Sequence, residues 1–284
     1  MSQHAPNIIC KNCGNHFHGK FCNACGEKNY DEHDKTLGHV AEEAVHFITH
    51  LDGTLPVSFA TIFKRPGLYS LEYCNGIRRK YFKPVSLFLV CVVLYLLFPL
   101  FKGLNMTLST YVSADFDYSW FGKPLVQKKL ATSHYTYQQL AEKYDEASPK
   151  FSKILLLLYL PLTALTLSIL FYKRRKFFFD HFILATEFNI FMIAFSYLLF
   201  PLLFYLLSLL VFWVTKNPLE ISEIIVASVA GTALTLFCAK SFRRFYGEKW
   251  WLTILKMVLF LAVYLFIIEK IYKIFVLITV LLFV

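Results

Sequence analysis

The chain has 284 residues, of which 57% are hydrophobic, 18% aromatic and only 17% charged, with a formal charge of +10 at neutral pH. A soluble domain is about 45–50% apolar and about 25% charged, so the composition sets aside an ordinary soluble enzyme. The basic residues gather beside apolar blocks, where anionic lipid attracts them, rather than in the stripe of a nucleic-acid-binding surface.

The first element in chain order is a double cysteine motif. Cys10-Lys11-Asn12-Cys13 and Cys22-Asn23-Ala24-Cys25 stand eight residues apart, and each pair is followed by a glycine, Gly14 or Gly26. Each C-x-x-C turn aims two thiolates at one ion, the glycine permits the turn, and two turns complete a tetrahedral shell. The spacing predicts a small zinc ribbon over residues 1–30, with Cys10, Cys13, Cys22 and Cys25 as structural Zn(II) ligands. Four cysteines leave no open position for a catalytic water. An iron or iron–sulfur centre and a dithiol redox pair are the rival readings of the same spacing, and His16 and His18 are the alternative ligands within it. No apolar segment with a small-residue cleavage site follows Met1, so a cleaved secretory signal is not expected.

Residues 31–83 read as an amphipathic or interfacial connector. Between Thr36 and Leu51, apolar Leu37, Val40, Ala44, Phe47, Ile48 and Leu51 share one helical face, with His39, Glu43, His46 and His50 opposite. Such a polar face is first of all solvated. Its i, i+3 and i+4 spacings also allow a headgroup, partner or metal contact, although one helix supplies too few ligands for a catalytic centre. Further on come Leu51-Asp52-Gly53-Thr54, Arg65-Pro66-Gly67, and Gly76-x-Arg78-x-x-Tyr81-x-x-Pro84 running directly into an apolar block. In this order the elements resemble a bacterial multi-pass family, domain of unknown function 3667. The resemblance covers the N-terminal hundred residues and implies an inner-membrane protein with an N-terminal zinc ribbon; it carries no activity with it. Arg65, Arg78, Arg79 and Tyr81 are the candidate lipid-headgroup or ligand contacts, since arginine forms paired hydrogen bonds to phosphate.

Residues 84–284 read as a transmembrane helical bundle. A helix needs about 20 mainly apolar residues to cross about 30 Å of hydrocarbon. Five segments meet that reading: Pro84–Phe101, Ile154–Tyr172, Ile190–Trp213, Ile221–Ala239 and Trp250–Ile268. The apolar tail after Glu269, Lys270 and Lys273 either extends the fifth helix or lies against the bundle. Pro99, Pro161 and Pro201 predict kinks. Basic clusters at residues 78–83, 173–176 and 240–249 occupy alternate loops, which by the positive-inside rule puts the N-terminus in the cytosol and residues 102–153 in an extracytoplasmic loop. The expected class is an all-α membrane protein of about five helices behind a small cytosolic zinc ribbon.

Catalytic motifs of the G-x-S-x-G, H-E-x-x-H and Walker types are missing from the chain. His181 and Glu187, just before the expected third span, are weak candidates for a lipid-acting site with Arg78, and the simpler reading of Glu187 is a solvated interfacial carboxylate. Three functions remain open: a non-catalytic scaffold or regulatory protein docking a cytosolic or membrane partner through its N-terminal module, a transporter or channel, and a lipid-acting enzyme. Membrane lipids are the expected surroundings and nucleic acid is not an expected partner.

Overall fold

The computed structural model describes residues 8–29, 53–97, 106–113, 118–216 and 223–284. The 36–51 helix, with His39, Glu43, His46 and His50, lies outside the described residues. At the N-terminal end β1 (Ile8–Ile9) pairs antiparallel with β2 (His16–Phe17), Ile8 facing Phe17 and Ile9 facing His16, and a bridge between Phe21 and Lys28 closes the second half. The buried cluster here is only Cys10, Phe17 and Cys22, with Ile8 and Cys25 against it. So little apolar burial cannot offset the entropy of ordering this segment without a metal or another surface.

The rest is helical. α1 (Thr54–Lys64) and α2 (Leu68–Cys74) flank the Arg65-Pro66-Gly67 turn. α3 (Pro84–Leu97) starts on a proline, whose missing N–H is harmless at the first helical position. The 102–153 stretch, expected as a loop, folds into α4 (Leu108–Val112), α5 (Ser119–Thr132) and α6 (Tyr137–Leu155) over most of its described length. A 3-10 turn, Leu156–Leu158, leads into α7 (Tyr159–Leu170), with a bend of 43°. α8 (Phe178–Phe191) continues through a π-helical stretch, Met192–Leu199, into α9 (Phe200–Thr215). α10 (Glu223–Tyr246) follows, then α11 (Trp250–Phe266), a second π-helical stretch at Ile267–Tyr272, and α12 (Lys273–Phe283). The apolar tail thus extends the last helix.

Two of the breaks have a local cause. Pro161 and Pro201 lie just after the 3-10 and the π stretch respectively, and each proline ring displaces the carbonyl four residues back, that of Leu157 or Tyr197, which lies inside the irregular stretch.

The expectation of five spans is corrected. Among the described residues two helices are long and apolar enough to cross a membrane, Phe178–Trp213 and Trp250–Phe283, and a third if the bent pair around Leu156 counts as one span. The described part of α3 has 14 residues, or about 21 Å at 1.5 Å per residue. The third span also begins earlier than Ile190, because the helix starts at Phe178. Along it the surroundings change. Every residue from Ile183 to Phe191 is buried in protein, whereas Leu203, Leu210 and Trp213 on α9 are 61%, 62% and 75% exposed. The helix therefore joins a protein-embedded half to a half with an apolar outer surface.

Candidate metal centre and the clasps beneath it

The two cysteine knuckles repeat one another hydrogen bond for hydrogen bond. Gly14 N–H donates to Cys10 O at 2.8 Å and Gly26 N–H to Cys22 O at 2.7 Å, while Cys10 N–H donates to Asn15 O and Cys22 N–H to Glu27 O, both at 2.8 Å. Gly14 and Gly26 close the turns at φ +75° and +71°, in the region glycine enters without cost. The four Sγ atoms lie within 4.8 Å of one another, with Cys10–Cys25 at 3.5 Å and Cys13–Cys22 at 3.7 Å. Tetrahedral Zn–S bonds of about 2.3 Å separate sulfurs by about 3.8 Å, so the four residues fit one metal ion.

Electrostatics agree. Burial opposes ionisation of Cys22, but the backbone N–H groups of Cys25 and Ala24 outweigh it and draw its thiol down to about 6. The Asn15 N–H favours a Cys13 thiolate too, yet the other sulfurs and some burial push that thiol up to about 12. Four crowded thiols cannot all ionise alone; a cation resolves the conflict.

Beneath the knuckles the ribbon is bolted to the chain that leads into α3. Glu27, 4% exposed, accepts the backbone N–H groups of Arg79 at 2.8 Å and Arg78 at 3.3 Å. A Cβ on Gly26 would run into the Arg79 guanidinium, and one on Gly76 would press on the Lys11 side chain. Arg78 is itself buried. Its guanidinium lies 5.1 Å over the Tyr73 ring and 5.4 Å over the Phe179 ring, joining α2 to the start of α8. Tyr81 is buried as well and donates to Glu72 at 2.6 Å, beside the Lys80–Glu72 ion pair at 2.7 Å. Of the four residues expected at headgroup level, only Arg65 and Arg79 are exposed.

A second clasp explains the Arg-Pro-Gly element. Glu187 is fully buried in α8 rather than solvated. Its carboxylate accepts Gly67 N–H at 2.7 Å and Ser70 N–H at 2.9 Å, together with the Ser70 hydroxyl. It satisfies the unpaired amides at the start of α2, as an acidic cap does from within a chain, but from 120 residues away. Gly67 has φ +80°, and a Cβ there would sit 2.6 Å from Ser241 O on α10. Arg244, also on α10, donates to Pro66 O. The turn is thus held by two helices at once.

The basic clusters converge on this same end of the molecule. Arg174 and Lys256 each reach Glu248 at 2.8 Å, Arg175 donates to Phe245 O at 3.1 Å, and Arg243 donates to Glu248 O. Burial disfavours the Glu248 anion, but the hydrogen bonds from Lys256 and Arg174 prevail and hold its carboxyl below the usual carboxylate range. His181, 2% exposed, pairs through Nδ1 with Tyr246 Oη at 2.9 Å. Arg78, His181 and Glu187 are thus each engaged with a different partner. Glu27 and Glu248 escaped the sequence reading. The first stands two residues after Cys25, where a carboxylate next to a knuckle was the available signal; nothing local marks the second.

A helical chain with membrane-capable helices, and a four-cysteine cluster able to hold a metal ion clasped to the segment that leads into α3, is the class defined by these contacts. Residues 52–96, which cover α1, α2, the 76–81 turn and α3, match the family described as "Protein of unknown function (DUF3667)", so the chain is similar to that family over the clasped segment. No curated protein and no solved structure matches the chain.

Proposed function

We propose that this is a multi-pass inner-membrane protein that acts as a non-catalytic scaffold or regulator, with a structural zinc site that fixes its cytosolic face. Its carrying observation is the Glu27 carboxylate, which ties the four-cysteine unit to the backbone at Arg78 and Arg79. A module built to recruit partners freely would swing on its tether; this one is part of the surface. Ile9 and Phe21, each just before the first cysteine of its knuckle, are 59% and 60% exposed, and they offer a partner protein an apolar contact on the outer side. Zinc follows from the donor set, since four thiolates in a closed shell suit an ion without redox demands. The cytosolic side follows from the convergence of the Arg- and Lys-bearing loops on the ribbon end.

Two measurements on the purified protein and on cells test this reading. Elemental analysis should return one zinc per chain and none in the variant with Cys10, Cys13, Cys22 and Cys25 all replaced by serine. A cysteine placed at Lys20 should react with a membrane-impermeant maleimide only after permeabilisation. Zinc absent from the wild type, or labelling in intact cells, would overturn it.

A further inference from the structure

One apolar groove on the outer surface has a cation at its end. It lies between α1, α3 and the π-helical stretch after α8, and its volume is 630 Å³, within the range of about 300–1,000 Å³ typical of small-ligand sites. The groove exists because small residues meet where three helices cross. Ala60, Cys91 and Ala194 form its lining along with Phe63, Leu94 and Leu202, and Lys64 closes one end. The π-helical stretch Met192–Leu199 supplies Ala194 to that lining; such irregular turns recur at binding sites.

Depth can be read along the long helix. Phe63 packs its ring 5.3 Å from Phe191, and Gly67 meets Glu187, so the end of α1 lies level with residues 187–191. From Phe191 to Trp213 the helix advances about 33 Å at 1.5 Å per residue, close to the thickness of the hydrocarbon layer. Lys64 and Arg65, both exposed, then stand at the headgroup plane. From Ala194 to Leu202 the groove runs about 12 Å further, most of the depth of one leaflet.

We infer that this groove is a binding site for one anionic phospholipid, its acyl chain against Ala60, Cys91 and Ala194 and its phosphate at Lys64 and Arg65. The inference rests on the membrane-spanning reading above. It follows from matched chemistry: a cationic end at the interface and a hydrocarbon trough leading inward from it, on a surface that faces lipid. One lysine near the headgroups contributes about 1 kcal/mol toward an anionic lipid, or roughly a fivefold preference.

The test is native mass spectrometry of the full-length protein released from vesicles of dioleoyl phosphatidylglycerol mixed equally with dioleoyl phosphatidylcholine. The wild type should retain phosphatidylglycerol about fivefold over phosphatidylcholine. Ala60→Trp and Leu94→Trp, which fill the groove from α1 and α3, should lose the retained lipid, and Lys64→Glu should abolish the preference. Leu203→Trp, on the exposed surface of α9, should bind as the wild type does. Retention unchanged in either tryptophan variant that keeps wild-type helicity, or a preference surviving Lys64→Glu, overturns the site. So does a second copy of the chain retained in place of lipid. A wild type that inserts into the vesicles but holds no lipid refutes only the groove, whereas one that stays in the aqueous phase refutes the membrane reading itself.

Discussion

Gly67 and Glu187 show how much one residue pair can hold. At Gly67 a side chain would be strained by the positive φ and would collide with the Ser241 backbone. The left-handed conformation costs about 1–2 kcal/mol and a forced close contact about 1–3 kcal/mol. Gly67→Ala should therefore lower stability in detergent by at least about 2 kcal/mol, measured by thermal unfolding, while zinc content stays unchanged. Glu187→Gln keeps the shape but turns an amide donor toward the donors it should accept, Gly67 N–H or Ser70 N–H. A loss of about 2–3 kcal/mol is expected from charged hydrogen bonds in a dry site. A neutral result for either would mean that the turn is not held as described. The sequence showed Arg-Pro-Gly as a turn. It could not show the carboxylate that receives it, because nothing near Glu187 marks a partner 120 positions upstream.

Glu248 makes a prediction in pH. Its carboxyl lies below the usual range in the folded protein, held there, despite burial, by hydrogen bonds from Lys256 and Arg174. The folded-state value is below the unfolded one of about 4.3, so the stabilisation is complete above that range and disappears as the pH falls through the depressed value. Melting temperature should drop between pH 5 and pH 3, within about the carboxylate range, and Glu248→Gln should remove part of that drop. An identical pH profile in the variant would contradict the assignment.

At the scale of elements, hydropathy found the apolar rods and misjudged their ends. Asp180, His181, Glu187 and Asn189 interrupt the apolar pattern of α8, so the helix reads as starting near Ile190. In the folded chain these polar groups are buried, with Glu187 bonded to α2 and His181 to Tyr246, and the helix runs on to Phe178. The basic loops were legible as a set on one face. That Arg174, Arg175, Arg243 and Arg244 spend their donors on carboxylates and carbonyls of neighbouring loops was not, since positive charge beside an apolar block reads equally as a headgroup anchor. The division of the long helix is open to a direct check. Single cysteines at Leu203 and Leu210 should react with a lipid-dissolved thiol probe, while one at Ala185 should not; equal reaction along the helix would mean that α8 is not embedded in protein.

Across the whole molecule, the four-cysteine cluster and the long apolar helices are one mechanical unit. The cysteine spacing announced the first and the apolar blocks announced the second, but their junction is made of backbone amides at Arg78 and Arg79 meeting one carboxylate. Sequence carries no sign of backbone partners. Because the ribbon has so small an apolar cluster, metal should supply most of the free energy that keeps Glu27 in place. Hydrogen exchange of residues 76–80 in the zinc-loaded protein, with and without a zinc chelator, tests this most directly. Protection at Arg78 and Arg79 should fall at least tenfold when the metal is removed, and equally in Glu27→Gln with its zinc retained. Amides that stay protected in both would show that the thiolate centre and the membrane entry are independent, contrary to this account.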